Sequence, residues 1–141
     1  MYTFNGRLSL FGLALLAAVA TLPGCGPSGP KTASVSGKVT LDGTPLTSGT
    51  VNLVGDESKG NTHKGTSAGS IGPDGTYKVS TDGKDGAPLG WYKVLVVTKF
   101  PGAPQDALAL DPKYIDATKT PLSYEVVASS APGAYDLKVS K

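Results

Sequence analysis

The sequence predicts an all-β protein: a seven-stranded antiparallel β-sandwich behind a short apolar leader helix. Three observations lead there. From Ser34 onward, apolar and polar residues alternate with a period of two, as strands with one buried face require. The 19 glycines and 11 prolines fall between short runs rich in Val, Thr and Tyr, where turns belong. After the leader, no stretch has the i, i+3, i+4, i+7 spacing of an amphipathic helix. One sheet alone would leave a set of inward residues uncovered, so two facing layers are expected.

Arg7 supplies a positive charge ahead of the apolar run Leu8 to Ala20. Thirteen residues are too few for a permanent membrane helix, which needs about 20, and suit a secretory leader. The run ends in Leu22-Pro23-Gly24-Cys25. A Leu three places before the chain's sole Cys, with Gly directly before it, resembles the lipobox of bacterial lipoprotein precursors. Pro23 departs from the small residue usual at its place. The resemblance implies that Cys25 is acylated on sulfur and becomes the new N-terminus. A second Cys for an intrachain disulfide is missing, and two acyl chains on one Cys give the stable anchoring that a single chain does not.

The expected organisation is a signal peptide over 1–24, a lipidated Cys with a flexible tether over 25–33, and a sandwich over 34–141. Gly26 lacks the acidic character that retains enteric lipoproteins at the inner membrane, so an outer-membrane anchor with the domain in the periplasm is favoured. Once the only arginine, Arg7, is removed, twelve lysines face eleven Asp and Glu residues. Such a balance argues against nucleic acid as a partner, because that binding rests on neutralising many phosphates.

The first strand runs through Val35, Gly37, Val39 and Leu41, with Ser36, Lys38 and Thr40 outward. Asp42-Gly43 turns the chain. A second strand covers about 49–54, and residues 55–66, which lack any large apolar residue, read as an exposed loop. A third covers 67–71, then Pro73-Asp74-Gly75 turns into a fourth over 76–80 with Tyr77 and Val79 inward. Residues 81–88 read as a polar loop. The fifth and longest strand, 90–99, is apolar on both faces, as a central strand partly covered outside would be. Residues 100–121 form a long proline-bearing loop, pinned by Phe100, Leu108, Leu110, Tyr114 and Ile115, with a helical turn at 106–110. Leu122, Tyr124 and Val126 mark the sixth strand, and Tyr135, Leu137 and Val139 the seventh.

The opening Val35-Ser36-Gly37-Lys38-Val39-Thr40-Leu41-Asp42-Gly43-Thr44-Pro45-Leu46 resembles that of the carboxypeptidase regulatory-like, or transthyretin (prealbumin)-like, sandwich, an Ig-like architecture. Gly72-Pro73-Asp74-Gly75-Thr76-Tyr77 and Gly90-Trp91-Tyr92-Lys93-Val94 are similar to its next two signatures. The ending, from Lys113-Tyr114 through Thr120-Pro121-Leu122 to Tyr135-Asp136-Leu137, is similar to small lipoproteins of planctomycete-type bacteria. The resemblance implies a fold and no chemistry. Zinc peptidases carrying a related sandwich use a His/Glu set, and transthyretin-fold hydrolases use His and Arg; neither set is available here. The Lys–Asn crosslink of related surface sandwiches would use Lys38, which alternates outward and has no Asn on the last strand.

His63, the only histidine, lies among polar residues and reads as solvated; one His makes no catalytic metal site. No Ser stands in a G-x-S-x-G elbow. Asp82 and Asp85, three apart in a glycine-rich loop, are calcium candidates, with turn chemistry as the ordinary reading. Trp91, Tyr92 and Phe100 are candidates for a platform contacting a glycan or a partner. The expectation is therefore a non-enzymatic envelope module without cofactor. Its partners would be the membrane, through Cys25, and an envelope protein or a carbohydrate.

Overall fold

A computed structural model describes residues 30–99 and 109–141. The leader, the lipobox Leu22-Pro23-Gly24, Cys25, Phe100 and Leu108 lie outside the described residues. Within them the chain is all β, as expected: twelve strands and two single turns of 3₁₀ helix. No helix among the described residues is long and apolar enough to cross a membrane.

Strand β1 (Thr32–Ala33) pairs antiparallel with β9 (Ala87–Pro88), so the sandwich begins two residues before the expected start, inside the presumed tether. β2 (Ser36–Leu41) buries Val39 and Leu41 and turns into β3 (Thr44–Pro45). Both turn residues have positive φ, 49° at Asp42 and 87° at Gly43, a geometry whose twist matches that of the flanking strands. β4 (Thr50–Gly55) and β5 (Ser67–Ser70) follow as expected. The expected single strand over 76–80 is divided. β6 (Thr76–Lys78) pairs with β2, whereas β7 (Ser80–Thr81) pairs with β5. Fully buried Val79 is the corner at which the chain changes sheets, its N–H bonded to the Val35 carbonyl.

The expected loop 81–88 contains a second Asp-Gly hairpin, with φ of 49° at Asp82 and 79° at Gly83, leading to β8 (Lys84–Asp85) and then β9. Its polar sequence fits an exposed sheet edge. β10 (Gly90–Val97) lies between β4 and β11 (Ser123–Val126), and its second face is half-buried throughout. β12 (Leu137–Val139) closes the chain.

The larger sheet has the order β11-β10-β4-β5-β7-β8. The smaller has β12-β2-β3, with β6 also on β2. All pairs but one are antiparallel. β12 runs parallel to β2, a departure from the all-antiparallel expectation. Parallel neighbours need a long crossover, and here almost the whole domain supplies it. The core between the layers is mainly valine: Val35, Val39, Val51, Val94 and Val96 are wholly buried. Tyr77, Tyr124 and Tyr135 complete it. The Tyr77 hydroxyl donates to the Tyr135 carbonyl at 2.6 Å, and the Tyr124 and Tyr135 rings lie 4.8 Å apart.

In the long loop, Tyr114 is buried and Leu110 packs on the core, but Ile115 is exposed. A helical turn lies at Pro112–Ile115; the one expected at 106–110 falls largely outside the described residues. Asp111 caps it and Pro112 opens it, a favoured start for a helix.

Candidate functional site

The 55–66 segment shapes the surface around two clefts. Asp56 accepts from the Ser58 backbone N–H at 3.2 Å and from its hydroxyl at 2.5 Å, starting the 3₁₀ turn Glu57–Lys59. Gly60 ends it with φ of 83°. The Asp56 N–H and the Asn61 side-chain amide both donate to the Trp91 carbonyl, which bolts the segment to β10. Asn61 Oδ1 accepts the His63 N–H at 3.0 Å. Asp56 and Asn61 are buried, at 4% and 8% exposure, which corrects the expectation of a wholly exposed loop. The physical reason is that short polar side chains satisfy backbone donors locally, so the segment folds back without apolar residues.

Two clefts result. One, about 560 Å³, is lined by Asp56, Ser58, His63, Lys64, Lys93 and Thr118 among others. The second, about 420 Å³, is lined by Pro30, Lys59, Asn61, His63, Leu89, Trp91 and Glu125 among others. His63 borders both. It is half-buried rather than solvated, and its Nε2 is screened from solvent with no hydrogen-bond partner. The Asn61 turn tucks the ring over Gly65, where a Cβ would stand 2.6 Å from Nε2 and 3.0 Å from an Asp82 carboxylate oxygen. Only glycine leaves the ring that space.

Four polar residues lining the first cleft already bind one another in pairs. Lys64 pairs with Glu57, and the Ser58 hydroxyl holds the Asp56 carboxyl below its ordinary value against the opposing effect of its burial, with Lys93 adding to the lowering. The arrangement fixes a loop. It brings no nucleophile and base within bonding distance of each other beside His63.

The other candidates separate. Tyr92 is wholly buried and donates its hydroxyl to the Pro88 carbonyl at 3.0 Å, so it belongs to the core and not to a contact platform. Trp91, on the opposite face of the strand, is half-buried, with the Lys59 ammonium 3.7 Å from its ring centroid. Asp82 is an exposed hairpin residue, and Asp85 pairs with Lys78 at 2.5 Å. Among the described residues no three His, Cys, Asp or Glu side chains are grouped to hold a metal ion. Lys38 is exposed; its backbone N–H, not its ammonium, meets the Asp136 carboxylate.

The sequence reading passed over Lys59 and Gly65, and over the turn-forming roles of Asp56 and Asn61. The available signal was the repeated D-x-[ST] spacing: Asp56–Ser58, Asp74–Thr76 and Asp116–Thr118 each form the same carboxylate-to-backbone turn. No protein-family model, curated protein or solved structure matches this chain.

Proposed function

We propose that this chain is a lipid-anchored, non-enzymatic module of a bacterial envelope, a carboxypeptidase regulatory-like sandwich acting as a structural or protein-interaction element on the outer side of a membrane. The observation that carries the reading is the apolar leader ending at the chain's only Cys, five residues before the cleft-lining Pro30. The family's motif positions support it, because they act in the fold. Gly37 lets the Tyr135 carbonyl lie against the strand, Asp74-Gly75 forms a turn, and Tyr92 fills the core. The engaged polar groups around His63 favour a binding or structural role over catalysis. Carbohydrate is the weaker reading: Tyr92 belongs to the core, and Trp91, which meets a cleft, already has Lys59 over its ring.

Intact mass spectrometry of protein extracted from the membranes of its native host tests the anchor. The expected species begins at Cys25 and carries acyl chains, and Cys25→Ala shifts the protein to the soluble fraction. A full-length chain with an unmodified Cys25 overturns the proposal.

A further inference from the structure

We propose that the end of the sandwich carrying Lys31, Lys59, Leu89 and Trp91 rests on the anionic headgroup surface of the membrane that holds Cys25. The inference rests on the anchoring reading above and adds an orientation to it. Pro30 follows Cys25 by five positions, a reach of at most about 18 Å even when fully extended. Pro30 lines the same cleft as Lys59, Leu89 and Trp91. The β1–β9 ladder continues through the Leu89 N–H to the Lys31 carbonyl at 3.2 Å, so Lys31 and Leu89 are neighbours there. A lipid on Cys25 therefore keeps this end within about 18 Å of the bilayer, where weak contacts can decide which face rests on it.

The chemistry of the end suits that place. Leu89 is 42% exposed, one of three large hydrophobic side chains so exposed among the described residues. Trp91 is an amphipathic ring of the kind that settles at headgroup depth. Lys59 holds its ammonium over that ring, 3.7 Å from the centroid, and Lys31 is exposed beside Leu89. Glu125 is the sole acid lining the cleft. Each lysine near an anionic surface contributes about 1 kcal/mol. Such contacts are too weak to recruit a free protein. The tether raises the effective concentration of the surface enough for them to set orientation.

Trp91 is the only tryptophan, so its emission reports this end alone. The full chain, processed in a bacterial host and reconstituted into vesicles, is compared in lipids with and without bromine on the upper acyl chain. Quenching is expected in phosphatidylglycerol-containing vesicles and much less in pure phosphatidylcholine. Lys31→Gln, which does not touch the ring, should lower the docked-to-free ratio about fivefold. Acylated Cys25 with equal Trp91 emission in brominated and ordinary vesicles overturns the docking while leaving the anchor. Unmodified Cys25 overturns both. Equal quenching in the two lipid types removes the lysines and overturns the proposal as stated. Emission that varies only with protein density assigns the face to a second copy of the chain, and likewise overturns it.

Discussion

The tyrosine cluster makes stability fall in alkali, and removal of one hydroxyl should reshape that fall. Burial pushes the Tyr77 phenol up from 10.0 to about 12, and the nearby Asp136 and Tyr135 act in the same sense. Burial raises Tyr124 too, and its hydroxyl contact with Tyr77 at 3.4 Å makes Tyr77 the first of the pair to ionise. Both groups are held protonated in the fold. Their contribution is whole below pH 10, where the unfolded chain also keeps its protons, and is lost as pH rises toward the folded values.

For Tyr77 the loss is about 1.4 kcal/mol at roughly pH 11 and approaches about 2.7 kcal/mol beyond pH 12. Tyr77→Phe strands the Tyr135 carbonyl and should cost about 1–3 kcal/mol at neutral pH. Above pH 10 the variant has one fewer proton to defend, so the gap between the two proteins should narrow by about 1.4 kcal/mol per pH unit. Urea unfolding followed by circular dichroism, across this range, reads both numbers. Parallel pH curves for wild type and Tyr77→Phe would refute the assignment, as would a neutral-pH cost near zero.

Two further outcomes concern the turns. Gly86→Ala should destabilise by more than about 2 kcal/mol, since Gly86 has φ of 91° and a Cβ would overlap the Ala33 carbonyl and part β1 from β9. Gly83→Ala, at φ of 79° with open space around it, should cost only about 1 kcal/mol, and thermal melts distinguish them. In acid, Asp56, Asp74, Asp111 and Asp116 all titrate below their ordinary range, chiefly through hydrogen bonds from residues two places on, with Asp116 at about 2. Their support is whole above pH 4 and should be lost as pH falls toward 2, seen as a falling melting temperature; a flat profile there would contradict the capping role.

The layered fold was legible because its signals are local. Alternation placed Val35, Val39 and Leu41, Val51 and Leu53, Tyr77 and Val79, and the closing residues Tyr124, Val126, Tyr135, Leu137 and Val139 correctly. The Asp42-Gly43 and Asp82-Gly83 turns could be read from their dipeptides. The parallel β2–β12 pair could not, since residues nearly a hundred apart leave no periodic trace of which neighbour they choose. Nor could the fate of Trp91 and Tyr92. Alternation separates their faces but does not say which one the 55–66 segment will cover, and that segment is held by Asp56 and Asn61 through hydrogen bonds that hydropathy does not register. His63 failed as an expectation for the same reason: its polar neighbours suggested water, while the Asn61 turn and the bare Gly65 made a niche.

The lone parallel ladder has a mechanical consequence. β2 follows the N-terminal entry and β12 precedes the C-terminus, and the two run side by side in the same direction. Tension applied between the two termini therefore pulls these strands past each other lengthwise, and their bonds must yield together instead of peeling apart one by one. The Lys38 N–H to Asp136 bond and the Thr40 hydroxyl to Leu137 carbonyl bond lie across the same seam. A domain held at one end and loaded at the other would resist as a shear clamp, a property suited to a part that must stay folded under strain.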